Sequence, residues 1–211
     1  MSSNLIRWGE PAAILGGALW VPYGVFEVVE PWGADVAYRD DVGYSVITNT
    51  PLFMAYSLPG SLALLLTSLG LLGVLARLGV PAGRVGRIGL TLGYVAVVLA
   101  VLSLAGVIAM FDPLFTSGRV FGTLALGIAT FLAGVDARRS NAAPGWMGVL
   151  VAFGLAGIFL LPLWPLVYAL MWVPETAGAA FIALFGLGWM AVGYVLRSER
   201  GEPGRQPVRV R

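Results

Sequence analysis

Cysteine, histidine and lysine do not occur in this 211-residue chain, and charged residues make up only 11% of it. Without cysteine there is no disulfide, no thiolate nucleophile and no cysteine-ligated metal or iron–sulfur cluster. Without histidine the commonest metal ligand and the usual general base are missing. Without lysine no Schiff base forms with a carbonyl cofactor. All thirteen basic residues are arginine, so ionisable chemistry is left to Asp, Glu, Tyr and Arg. No catalytic motif is present, and the reading leans away from an enzyme, with no cofactor and no metal site.

What the chain has is hydrocarbon. Hydrophobic residues are 58% of it and the mean hydropathy is +0.86. A soluble domain carries about 25% charged residues, so this chain has too few to cover a surface facing water. Its solvent is lipid. A spanning helix needs roughly 20 apolar residues. Six segments meet or approach that length: 11–29, 52–78, 88–111, 120–135, 147–172 and 177–196. The fourth is short and is expected to extend over its polar ends; the fifth contains Pro162 and Pro165. Arg7 ahead of the first segment has the outline of a signal peptide, but Trp20, Pro22 and Glu27 within it favour a retained helix. The fold class expected is all-α: an integral bundle of six transmembrane helices in three consecutive hairpins. An extracytoplasmic loop covers 30–51 and a disordered basic tail covers 198–211.

The arginines give the orientation. With both termini in the cytoplasm, eleven of the thirteen fall inside and only Arg39 and Arg119 outside, as the positive-inside rule requires. The net charge of +2 therefore reports topology and not nucleic-acid binding, and the expected location is the cell membrane. LPGSLALLLTSLGLLGVLAR, TSGRVFGTLALGIATFLAGVDAR and TAGAAFIALFGLGWMAVGYVLR share one outline, a glycine-containing entry, a span rich in small residues and a terminal Arg. Their recurrence gives the three-hairpin expectation, although any six-span chain places Arg at alternate helix ends. Gly89/Gly93 and Gly118/Gly122 are GxxxG pairs, and Ala13/Gly17 is a small-xxx-small pair. Such faces let helix backbones approach closely in lipid, either within the bundle or against a partner.

Two groups of residues are candidate sites. Tyr23 and Glu27 share one face of the first segment, and Trp164 and Tyr168 share one face of the fifth. Together they are read as an outward-facing aromatic and carboxylate pocket, since ionisable groups at membrane depth are usually turned inward and used. Arg119, read as lying in the first turn of the fourth span, needs compensation there, because a helix N-terminus disfavours a cation. Asp112, Glu30, Glu175 and Glu27 are its candidate counter-charges. Loop 30–51 is either a lid or a solvated connector, and Asp35, Asp40 and Asp41 within it lack the spacing of a calcium loop.

Two non-catalytic functions follow. One is an accessory subunit or assembly partner, docking another membrane protein or a second copy through its small-residue faces. The other is binding or transport of a small solute in the outer pocket. Six spans in a chain of this length resemble, in size and span count, the substrate-binding subunits of vitamin uptake transporters.

Overall fold

The computed structural model describes residues 3–29, 35–77, 83–139, 147–159 and 175–198. Among them are six helices: α1 Ser3–Val29, α2 Thr50–Arg77, α3 Arg84–Ile108, α4 Asp112–Arg139, α5 Met147–Phe159 and α6 Glu175–Ser198. Four of these, α2, α3, α4 and Ala180–Ser198 of α6, are long and apolar enough to cross a membrane. The expected fourth span does extend past its polar ends, to 28 residues. Pro162, Pro165 and the tail lie outside the described residues.

Consecutive helices run antiparallel and follow the contact order α6–α1–α2–α3–α4–α5, with α5 and α6 touching through Phe153 and Phe185. The pairs α1–α2 and α3–α4 are helical hairpins as expected. In the third pair α5 and α6 also meet, through the Phe153–Phe185 ring pair and Phe153 against Gly188, but among the described residues α6 packs more extensively along α1. The reason lies in side-chain size at the α1–α6 seam. A Cβ at Gly17 would stand 2.5 Å from Gly186 O, and one at Gly193 would stand 3.0 Å from Glu10 O. With no side chain between them, the two backbones reach the short distances that dispersion in lipid favours. The α1–α2 seam uses the same device, where Gly9 and Gly73 meet backbone to backbone.

Polar side chains inside the bundle are tied to neighbours, as burial away from water demands. Trp20 Nε1 donates to Thr67 Oγ1 at 3.4 Å, linking α1 to α2. Ser103 donates to Phe115 O at 3.1 Å and shares a 2.9 Å hydrogen bond with Ser61, joining α2, α3 and α4. The main core, with Trp20, Leu64, Leu71, Leu126 and Trp189 all buried, runs between these helices.

The loop expected at 30–51 contains an element that the all-α reading omitted. Val36–Arg39 (β1) and Tyr44–Ile47 (β2) pair antiparallel, with Val36 opposite Ile47 and Arg39 opposite Tyr44. Asp35 O accepts from Thr48 N at 2.7 Å and Asn49 N at 3.2 Å, closing the base of the hairpin. The turn uses Gly43 at φ 76°, a left-handed conformation open to glycine at little cost. Asn49 then caps α2, its Oδ1 accepting from Leu52 N at 3.2 Å, the usual role of Asn at that position. Val36 and Ile47 face down onto a second, smaller core of Phe53, Val107 and Phe115. The hairpin is thus seated on the bundle end formed by the start of α2 and the α3–α4 turn.

Candidate functional site

Under the hairpin lies a layer of aromatic rings supplied by three helices. α1 contributes Trp20 and Tyr23, one turn apart, and α2 contributes Phe53 and Tyr56 at a spacing of three. Phe115 and Arg119 of α4, four residues apart, share a helix face. Tyr23 stacks on Tyr56 with centroids 6.4 Å apart, and Trp20 meets Tyr23 edge to face at 5.6 Å. Phe53 meets Phe115 edge to face at 5.4 Å. Ring pairs in these geometries contribute about 1 kcal/mol each beyond their burial. Gly60 makes room for the layer, since a Cβ there would stand 2.9 Å from two atoms of the Tyr23 ring.

Two charged residues join this layer from opposite sides. The Arg119 guanidinium lies over Phe115 at 5.0 Å and over Tyr23 at 5.5 Å from the ring centroids, so the electron-rich ring faces compensate the cation. The correction to its expected place is one of helix length. α4 starts at Asp112, which sets Arg119 about two turns inside the helix, beyond the terminal turn where the dipole acts.

From the hairpin base, Asp35 is only 1% exposed and its Oδ1 accepts from Tyr56 Oη at 3.0 Å. Its Oδ2 is buried with no hydrogen-bond partner. Asp35, Tyr56, Tyr23 and Arg119 form one chain of contacts from carboxylate through two rings to guanidinium.

The other expected site residues fall as follows. Tyr23 is in the layer, 3% exposed. Trp164, Tyr168 and Glu30 lie outside the described residues, as do the side chains of Glu27 and Glu175. Asp112 accepts from Thr116 Oγ1 at 3.1 Å through Oδ1. Asp41 is engaged at the hairpin tip, where Arg39 NH2 lies 2.6 Å from Asp41 Oδ2 in an exposed pair; such pairs contribute little.

The small-residue positions meet helices of this same chain. A Cβ at Gly70 would stand 2.9 Å from Ala13 Cβ, one at Gly118 would stand 2.6 Å from Ser103 N, and one at Gly122 would stand 2.7 Å from Leu64 Cδ2. Gly89 faces Leu132 at 3.3 Å and Gly93 faces Leu72 at 2.9 Å by the same construction.

Asp35, Phe53, Tyr56 and Phe115 were not among the expected site residues. The i, i+4 spacing of Phe115 and Arg119 and the i, i+3 spacing of Phe53 and Tyr56 were available as signals. The Asp35–Tyr56 contact depends on how the hairpin seats and has no local signature. No protein-family model matches the chain, and no curated protein or solved structure matches it.

Proposed function

We propose that this chain is a non-catalytic, six-span membrane protein that binds a small solute at its hairpin end, with the hairpin as the cover. Both termini lie in the cytoplasm and the hairpin lies outside. The arginine bias supports that orientation: Arg77, Arg84, Arg138, Arg139 and Arg197 all end or begin helices on the side away from the hairpin.

One observation carries the binding reading. A carboxylate with an unpartnered oxygen is buried at the hairpin base and linked through Tyr56 and Tyr23 to Arg119. Burying a carboxylate oxygen without a partner costs free energy, and a chain under selection only for packing has apolar residues to use instead. The accessory-subunit reading drew on the small-residue faces. Those of Ala13, Gly17, Gly89, Gly93, Gly118 and Gly122 are occupied by this chain's own helices, which leaves that reading with less support.

Native mass spectrometry of the protein gently extracted from its own membrane tests the choice. A retained small molecule, lost on Asp35→Ala substitution, is the expected result. Retention of another membrane protein with no small molecule would replace this reading with the accessory-subunit one.

A further inference from the structure

Beside the hairpin, β2, the start of α2 and the α3–α4 turn border an open groove of about 360 Å³, at the small end of the roughly 300–1,000 Å³ that small organic ligands occupy. Tyr44, Ser45, Thr50, Met110, Phe111 and Asp112 line it. We propose that this groove binds an organic ammonium group, and that Asp112 and the Tyr44–Phe111 pair recognise it. The proposal rests on the reading that solutes meet the protein at its hairpin end.

The chemistry of the lining is one-sided. Asp112 Oδ1 accepts from the Thr116 hydroxyl, and among the described residues no hydrogen bond or ion pair reaches Oδ2. Among the described residues that line the groove none is basic. An anion is therefore repelled and a cation attracted.

The aromatic lining decides which cation. Tyr44 and Phe111 stand edge to face with centroids 5.4 Å apart, and each is more than a third exposed. Exposed ring faces beside a carboxylate attract an ammonium group carrying apolar substituents. A hard metal ion needs six or more oxygens around it, which one carboxylate and three side-chain hydroxyls do not supply.

The turn is also shaped for side chains. Phe111 N donates to Gly106 O at 2.8 Å and Met110 N to Val107 O at 3.1 Å, the paired bonds of a Schellman helix end. Met110 holds the position usually given to glycine, at φ 54°, a conformation costing a non-glycine residue about 1–2 kcal/mol. Its side chain packs on the Phe53–Phe115 core and walls the groove.

The ammonium can be carried by a lipid headgroup or by a free amine, and one titration series separates them. The full chain is placed in nanodiscs of digalactosyldiacylglycerol, which is neutral and has no amine, so that the lipid itself favours neither compound. It is titrated calorimetrically with choline and with the neutral analogue in which carbon replaces the quaternary nitrogen. Choline is expected to bind about tenfold more tightly than the analogue, and Asp112→Asn to remove about that factor. Equal binding of the two compounds, or unchanged choline binding by Asp112→Asn, overturns the proposal. The ligand comparison needs no variant, so a folding defect cannot mask the answer.

Repeating the titration in phosphatidylcholine nanodiscs identifies the source. Competition by the lipid assigns the groove to headgroups, and undiminished choline binding assigns it to free amines; either supports ammonium recognition. A retained solute lost with Asp35→Ala, alongside no preference for choline, would keep the hairpin-end reading and discard this one.

Discussion

The two ends of the bundle use arginine in different ways. At the arginine end, the arginines sit at helix termini and close them, while the carboxylates of Asp136 and Glu10 lie largely buried among the same helix ends. Arg77 of α2 donates to Leu196 O of α6 at 2.5 Å, satisfying one of the carbonyls a helix end leaves open. Arg138 and Arg139 lie in the last turn of α4, where the dipole favours cations. At the hairpin end, a carboxylate is folded under a two-stranded cover and a guanidinium is set against rings inside a helix bundle. The first use of arginine is what a membrane protein needs to end its helices in water. The second has no such need behind it, and it is the reason to look for function there.

Along the α1–α2 seam the two ends are also packed differently, and substitutions there expose it. Near the arginine end, a Cβ at Gly73 would meet the backbone of Gly9, and neither backbone can yield without separating the helices. Gly73→Ala is expected to cost about 3 kcal/mol, the upper end for overpacking, read as a shift in the detergent-unfolding midpoint. Near the hairpin end, a Cβ at Gly60 would meet only the Tyr23 ring. Gly60→Ala is expected to cost about 1 kcal/mol while loosening the ring from Arg119. If the two variants destabilise equally, the backbone contact at Gly9–Gly73 is not the tighter constraint and the comparison of the ends weakens.

Between these in size comes the latch. Asp35→Ala removes the Tyr56–Asp35 hydrogen bond under the hairpin, at a cost of about 2 kcal/mol. Its signature is local: amide exchange over 36–47 should accelerate far more than exchange in α2 or α4. Tyr56→Phe should produce the same pattern at least as strongly, because it takes the hydrogen bond from a buried carboxylate. Combined with Asp35→Ala it should add little, since both remove one hydrogen bond. Additive effects, or exchange that accelerates uniformly across the helices, would show that the hairpin is not held by this contact.

Much of the helical frame was legible in the sequence, because apolar length is a strong signal and Arg at the ends sharpens it. The starts were less so. Asp112, Pro113 and Thr116 read as loop by hydropathy, yet a carboxylate in the first turn and a hydroxyl bonded to it suit a helix N-terminus. That misreading moved Arg119 from the helix interior to its first turn. The pairing of α6 with α1 was hidden because glycines on one helix do not name the helix they will meet. The hairpin was missed for a related reason. VAYR and YSVI are four residues each, too short for a convincing alternation, and only the seat offered by Phe53, Val107 and Phe115 makes them strands worth forming. Site residues brought together by that seat, Asp35 and Tyr56 above all, were beyond the reach of local pattern.

The smallest expected effect is the most specific to the hairpin end, and it concerns Met110. In an ordinary helix position glycine is about 1 kcal/mol worse than alanine. At φ 54° the order should reverse. Met110→Ala loses the thioether packed on the Phe53–Phe115 core and keeps the left-handed strain, for a net cost of about 1 kcal/mol. Met110→Gly loses the same packing but relieves the strain, leaving stability within about 0.5 kcal/mol of the parent chain. Unfolding midpoints for the two variants decide it. Glycine ranking below alanine would mean that the turn does not hold the Schellman conformation, and the groove wall it builds would go with it.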